Sequence, residues 1–218
     1  MNNQQAKDLV MRAFTLIEKA ESIEALKGIL NILNIPKKNQ MDITGYPKIN
    51  FTLNSNEIEH LIETGFINSE LDIHNGFSVK NTTPLERLFY AVLWKNGDLK
   101  KVKHIIKGIK DNEDRIVKEG IVFHQFGRFL TGKTGEPIID QHVIRAFAVY
   151  ENTDDKDIDE QRELEVLNKK HQSLILNYKK WLNGSKISEK LKKESDYCYH
   201  VDQLLFAIGK TIKKRIKR

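Results

Sequence analysis

Apolar residues recur at helical spacing along most of this chain. Residues 5–33 carry Leu9, Val10, Ala13, Phe14, Leu16 and Ile17, then Ile23, Leu26, Ile29, Leu30, Ile32 and Leu33. Positions three and four apart share a helix face, so this pattern predicts two helices with a break near residues 20–22. Pro36 and Lys37-Lys38 end that unit. Ile49, Phe51 and Leu53 alternate, which predicts a short strand near 47–53. Asn54 followed by Glu57 is a capping-box pattern for a helix to about Glu63, closed by Gly65. Residues 66–80, with Gly76, predict a loop with room for short strands. Thr83-Pro84-Leu85-Glu86 is a stronger start signal, with Thr83 as N-cap, Pro84 at the first helical position and Glu86 closing the box. The helix it opens has a wide apolar face of Leu85, Leu88, Phe89, Val92 and Leu93, and Asn96-Gly97 ends it. Asp98 is placed to cap the next helix, which runs to about Ile106 before Gly108.

Beyond a highly charged stretch at 110–119, an apolar helix over about 121–130 leads into Thr131-Gly132-Lys133-Thr134-Gly135. Asp140 opens a helix to about Tyr150. An acidic loop over 151–160 precedes a long helix to about Leu182, which Asn183-Gly184-Ser185 breaks. A final helix over about 196–213 ends in Lys213-Lys214-Arg215-Ile216-Lys217-Arg218. The fold expected is therefore mainly α, a compact multi-helix domain with a short β segment near 47–53. Three regions are distinguished within it: 1–80, helical with an irregular loop; 81–150, a central helical unit; and 151–218, a helical pair with a basic tail. The absence of regularly alternating strands argues against a sandwich or a doubly wound sheet.

Composition narrows the picture. The chain has 218 residues, 39% of them hydrophobic, which is enough for a core. A formal charge of +6 points toward a polyanionic partner, although Lys-, Ile- and Asn-rich usage also fits an AT-rich genome. Cys198 is the single cysteine, which excludes an intramolecular disulfide and argues against a cysteine-based zinc site. No apolar run has the length of a membrane span, and Met1-Asn2-Asn3-Gln4-Gln5 lacks the regions of a signal peptide. These features predict a soluble, cytoplasmic protein with no membrane partner, no cofactor and no metal.

The segment Gly135-Glu136-Pro137-Ile138-Ile139-Asp140-Gln141-His142-Val143-Ile144-Arg145 concentrates the candidate chemistry. Asp140 stands where an N-cap accepts the free N–H groups of a first helical turn. A carboxylate at a helix start is also placed to act on a bound cation or a water. Gly127-Arg128-Phe129-Leu130-Thr131-Gly132-Lys133-Thr134 matches the phosphate-loop pattern GxxxxGK[ST], which needs a preceding strand, with Ile121-Val122-Phe123 available, and a helix straight after. Gly135 and Pro137 interrupt that helix. His104, His124 and His142 show no metal-ligand spacing. The cationic C-terminus fits either phosphate neutralisation or a solvated helix end.

Taken together, residues 84–147 resemble the helix-hairpin-helix DNA glycosylase superfamily. Gly135-Glu136-Pro137 and Asp140-Gln141-His142-Val143-Ile144-Arg145 are similar to the family's turn and D-x-H-V/I-x-R helix start. Gly120 falls on a hairpin glycine, while Val122 stands at the second glycine position and His124 at that of the lyase lysine. The resemblance implies a monofunctional enzyme that flips a base from duplex DNA. Asp140 would assist N-glycosidic bond cleavage, with His142 as its catalytic companion, and Asn96, Gly120, His124, Lys133 and Arg145 would contact DNA. Two other readings stand beside it: a non-enzymatic helical module that binds nucleic acid or protein, with Asp140 only a cap, and a nucleotide-binding protein acting through 127–134.

Overall fold

The computed structural model describes residues 1–73, 82–111, 113, 117, 119–152 and 155–214. Among these residues it is all-helical. In chain order the helices are α1 (Asn3–Lys19), α2 (Ile23–Ile32), α3 (Ser55–Glu63), α4 (Pro84–Lys95), α5 (Leu99–Lys110) and α6 (Ile121–Leu130), followed by α7 (Gln141–Glu151), α8 (Asp155–Glu163), α9 (Gln172–Asn183), α10 (Glu189–Lys192) and α11 (Tyr197–Ile212). Single 3-10 turns lie at Lys37–Asn39 and Lys169–His171. Residues Arg215 to Arg218 of the expected basic tail, Gly76 in the expected loop and part of the charged 110–119 stretch lie outside the described residues.

Local chemistry sets most boundaries. Asn54 with Glu57, and Thr83 with Glu86, form reciprocal capping boxes at the starts of α3 and α4. Ser22 caps α2 after the break. Gly65 follows α3 with φ +77°, a left-handed conformation that costs glycine least. Other boundaries differ from expectation. Segment 47–53 forms no strand; the Leu53 N–H instead donates to the Leu130 carbonyl at 2.8 Å. One isolated antiparallel bridge joins Ile67 and Ile73. α5 continues through Gly108 to Lys110, and α8 occupies part of the expected acidic loop. The long helix expected up to Leu182 is broken between α8 and the 3-10 turn at Lys169.

The chain divides into two compact units. The first combines Met1–Asn50 with the chain from Thr134 onward. An aromatic cluster sits within its largely aliphatic core. Phe14 stacks on Tyr150 with centroids 3.9 Å apart, and Phe147 packs against Tyr178 at 5.2 Å. α7 is the central element, with every residue from Val143 to Val149 buried. It crosses α11 closely at Gly209, where a Cβ would stand 1.9 Å from the His142 carbonyl oxygen. The second unit is Phe51–Lys133. Ile58, Ile67, Ile106 and Ile109 form its core, with Leu53, Leu61 and Phe66 packed against them. α5 and α6 meet through facing glycines. A Cβ at Gly108 would lie 2.0 Å from the His124 carbonyl oxygen, and one at Gly127 would lie 2.0 Å from that of Ile105. Gly108 therefore continues its helix because the neighbouring backbone needs the space, which offsets the ~1 kcal/mol propensity cost of a helical glycine.

Candidate functional site

Asp140, His142 and Arg145 come together at the start of α7. The Asp140 backbone is extended, and its Oδ1 accepts from the N–H groups of His142 at 2.7 Å and Val143 at 2.9 Å. Burial raises its pKa, opposed by those two N–H groups and by Arg145. Arg145 is fully buried. Its Nη1 donates to the Gly209 carbonyl at 3.0 Å and lies 2.6 Å from His142 Nδ1, while Nη2 donates to the Leu164 carbonyl. Its Nε has no described partner. Burial lowers the Arg145 pKa to about 10. A guanidinium cannot accept, so His142 Nδ1 must be the acceptor and its ring proton sits on Nε2. Burial, followed by the cations Arg145, Lys213 and Lys210, pushes His142 down to about 4. These described contacts brace α7 against α11 and the chain after α8.

The Gly-Glu-Pro turn before Asp140 is clamped from both sides. Gly135 has φ +83°, and a Cβ there would stand 1.8 Å from Asn183 Oδ1. Asn183 Nδ2 donates to the Gly135 carbonyl at 3.0 Å. Glu136 and Lys179 form a buried ion pair at 2.9 Å. The Ile138 N–H donates to Asp202 Oδ2 at 2.7 Å, and the Tyr178 hydroxyl donates to Asp202 Oδ1 at 2.6 Å. Burial holds the Asp202 carboxyl well above the usual range. Sequence reasoning missed Asp202. Its one signal is a lone acid on the stripe Cys198, Val201, Leu205 and Ile208, all of which are buried.

The remaining expected DNA contacts, Asn96, Gly120, His124 and Lys133, belong to the second unit. Gly120 caps α6 with φ +63°, and a Cβ there would meet the His104 ring at 2.2 Å. His124 is buried with Nε2 2.8 Å from Asp111 Oδ2. Buried Arg128 donates to the carbonyls of Asp111 at 3.0 Å and Glu113 at 2.8 Å. Asn96 is the exposed C-cap of α4, and Lys133 is exposed. The strand–loop–helix required by a phosphate loop is not formed. Residues 121–130 are helical, and Gly127 is a helix-crossing glycine. No helix starts directly after Thr134.

α4 presents a different kind of site. Leu85, Leu88, Phe89 and Val92 share one face, at spacings of three, four and seven. They are 57%, 59%, 58% and 50% exposed, whereas Arg87, Tyr90 and Leu93 are the half-buried positions. The helix thus carries its main apolar stripe outward. Trp94 is also exposed. The stripe is legible in the sequence; the direction it faces is not.

Comparison with protein-family models, with curated proteins and with solved structures finds no match. Among the described residues, no helix is long and apolar enough to cross a membrane.

Proposed function

We propose that this chain is a non-enzymatic protein-binding module with α4 as its docking element. The observation that carries this reading is the outward stripe of Leu85, Leu88, Phe89 and Val92. Isolated exposed apolar residues are ordinary, but a contiguous helical stripe is characteristic of zipper-like pairing with another amphipathic helix. Four aliphatic and aromatic side chains offer nothing to a phosphate backbone, which favours protein over nucleic acid. The glycosylase reading asks for a carboxylate presented to substrate. Asp140 instead commits Oδ1 to two helix N–H groups and is half-buried.

The test is fluorescence anisotropy with a labelled synthetic amphipathic helix bearing a leucine stripe. Saturable binding is expected, weakened about tenfold or more by Leu88→Ser with Phe89→Ser, as for loss of a central anchor. Circular dichroism should stay unchanged. Binding that is indifferent to both substitutions would contradict the proposal.

A further inference from the structure

The charge around the α4 stripe selects among protein partners. Resting on the docking reading above, we infer that the partner is an acidic amphipathic segment, whose apolar residues cover the stripe and whose carboxylates meet the lysines at its C-terminal end. Residues 84–110 hold seven cations against two acids, a net of +5. Both acids are engaged within the chain. Glu86 Oε2 accepts the Thr83 N–H at 2.6 Å, and Asp98 pairs with Lys101 at 2.5 Å. Three lysines of α5 are also paired: Lys101 with Asp98, Lys103 with Asp72 at 3.0 Å, and Lys110 with Glu59 at 2.5 Å.

Lys95 and Lys100 are exposed and form no ion pair with a described residue. Lys95 stands three residues beyond Val92 and seven beyond Leu88, so it flanks the apolar stripe on the same helix. Lys100 follows just past the Asn96-Gly97 turn. An apolar face bordered by exposed ammonium groups that pair with no described acid favours an apolar segment bordered by carboxylates. It disfavours a basic segment, because like charges brought together at an interface are repulsive. Partner choice and association rate are where such rim charges act most strongly.

The experiment uses the full chain and three synthetic helices that share one leucine stripe and differ only at their flanking positions. One carries glutamates, one glutamines and one lysines. At low salt the acidic helix should bind about fivefold tighter than the neutral one, as expected for a few exposed ion pairs. The advantage should shrink as added salt screens them. Lys95→Glu with Lys100→Glu should abolish the advantage and leave the neutral helix unaffected. Equal affinity for the acidic and neutral helices, or tightest binding of the basic one, would overturn the acidic partner and leave the docking face standing. Failure of all three to bind would overturn both.

Discussion

α4 and α7 are written in the same local grammar and end in opposite environments. Each opens with a side-chain cap, Thr83 in one and Asp140 in the other, and each carries apolar residues at helical spacing. α7 buries Val143 through Val149, while none of the α4 residues is buried. A capped amphipathic pattern therefore specifies that a helix forms, and leaves open what its apolar face meets. Fully burying a Leu, Val or Phe side chain is worth roughly 1.5–3 kcal/mol. In α7 that energy is already part of the fold. In α4 much of it remains available to a partner.

The contrast can be broken most forcefully from the α7 side. Phe147→Ala should cost about 3–5 kcal/mol, read by urea denaturation, because it opens a cavity among Phe14, Tyr178 and Trp181. Arg145→Met should cost a similar ~3 kcal/mol or more. It leaves the buried Gly209 and Leu164 carbonyls without their described donor. A loss below about 1 kcal/mol would show that the brace is dispensable. Gly209→Ala comes next, at about 1–3 kcal/mol, because its Cβ would meet the His142 carbonyl oxygen. Asp140→Ala should cost about 1 kcal/mol, and Asp140→Asn far less, since Asn caps equally well. At the small end, Phe89→Ala should change stability by no more than about 0.5 kcal/mol.

Acid should act through α7 as well. His142 is lowered in the fold to about 4 from its ordinary 6.5, so below 6.5 the unfolded chain takes up a proton that the fold refuses. Its contribution is fully present above 6.5 and fades as pH falls toward 4. His104 and His200, also lowered, act in the same direction. Asp140 and Asp202, whose pKa values are raised, act in the opposite one. Comparing the pH dependence of stability in wild type and His142→Gln isolates the histidine. The variant should lose part of the acid-side decline.

What was legible in the sequence was local. Asn54 with Glu57, Thr83 with Glu86, and Asp140 each name a helix start through partners within three residues. Glycines were harder to read. By spacing, Gly108 resembles a helix stop and Gly127 the first glycine of a phosphate loop, yet both sit where α5 and α6 backbones touch. Their role depends on an element elsewhere in the chain, so spacing alone misassigns it. The same holds for the Asp140 region. Arg145 finds Gly209, and Ile138 finds Asp202, each 64 residues away. No local pattern announces such bonds.

The most direct test of an outward-facing α4 is thiol accessibility in the native protein. Leu88→Cys places a reporter on the stripe. The natural Cys198 is buried, with its thiol pushed up to about 12, and serves as an inert internal standard. The engineered thiol should react with an aromatic disulfide reagent at the rate of an exposed cysteine, and the acidic helix should protect it. A thiol at position 88 that reacts as slowly as Cys198 in the free protein would contradict the account, because the stripe would then already be covered by the chain itself.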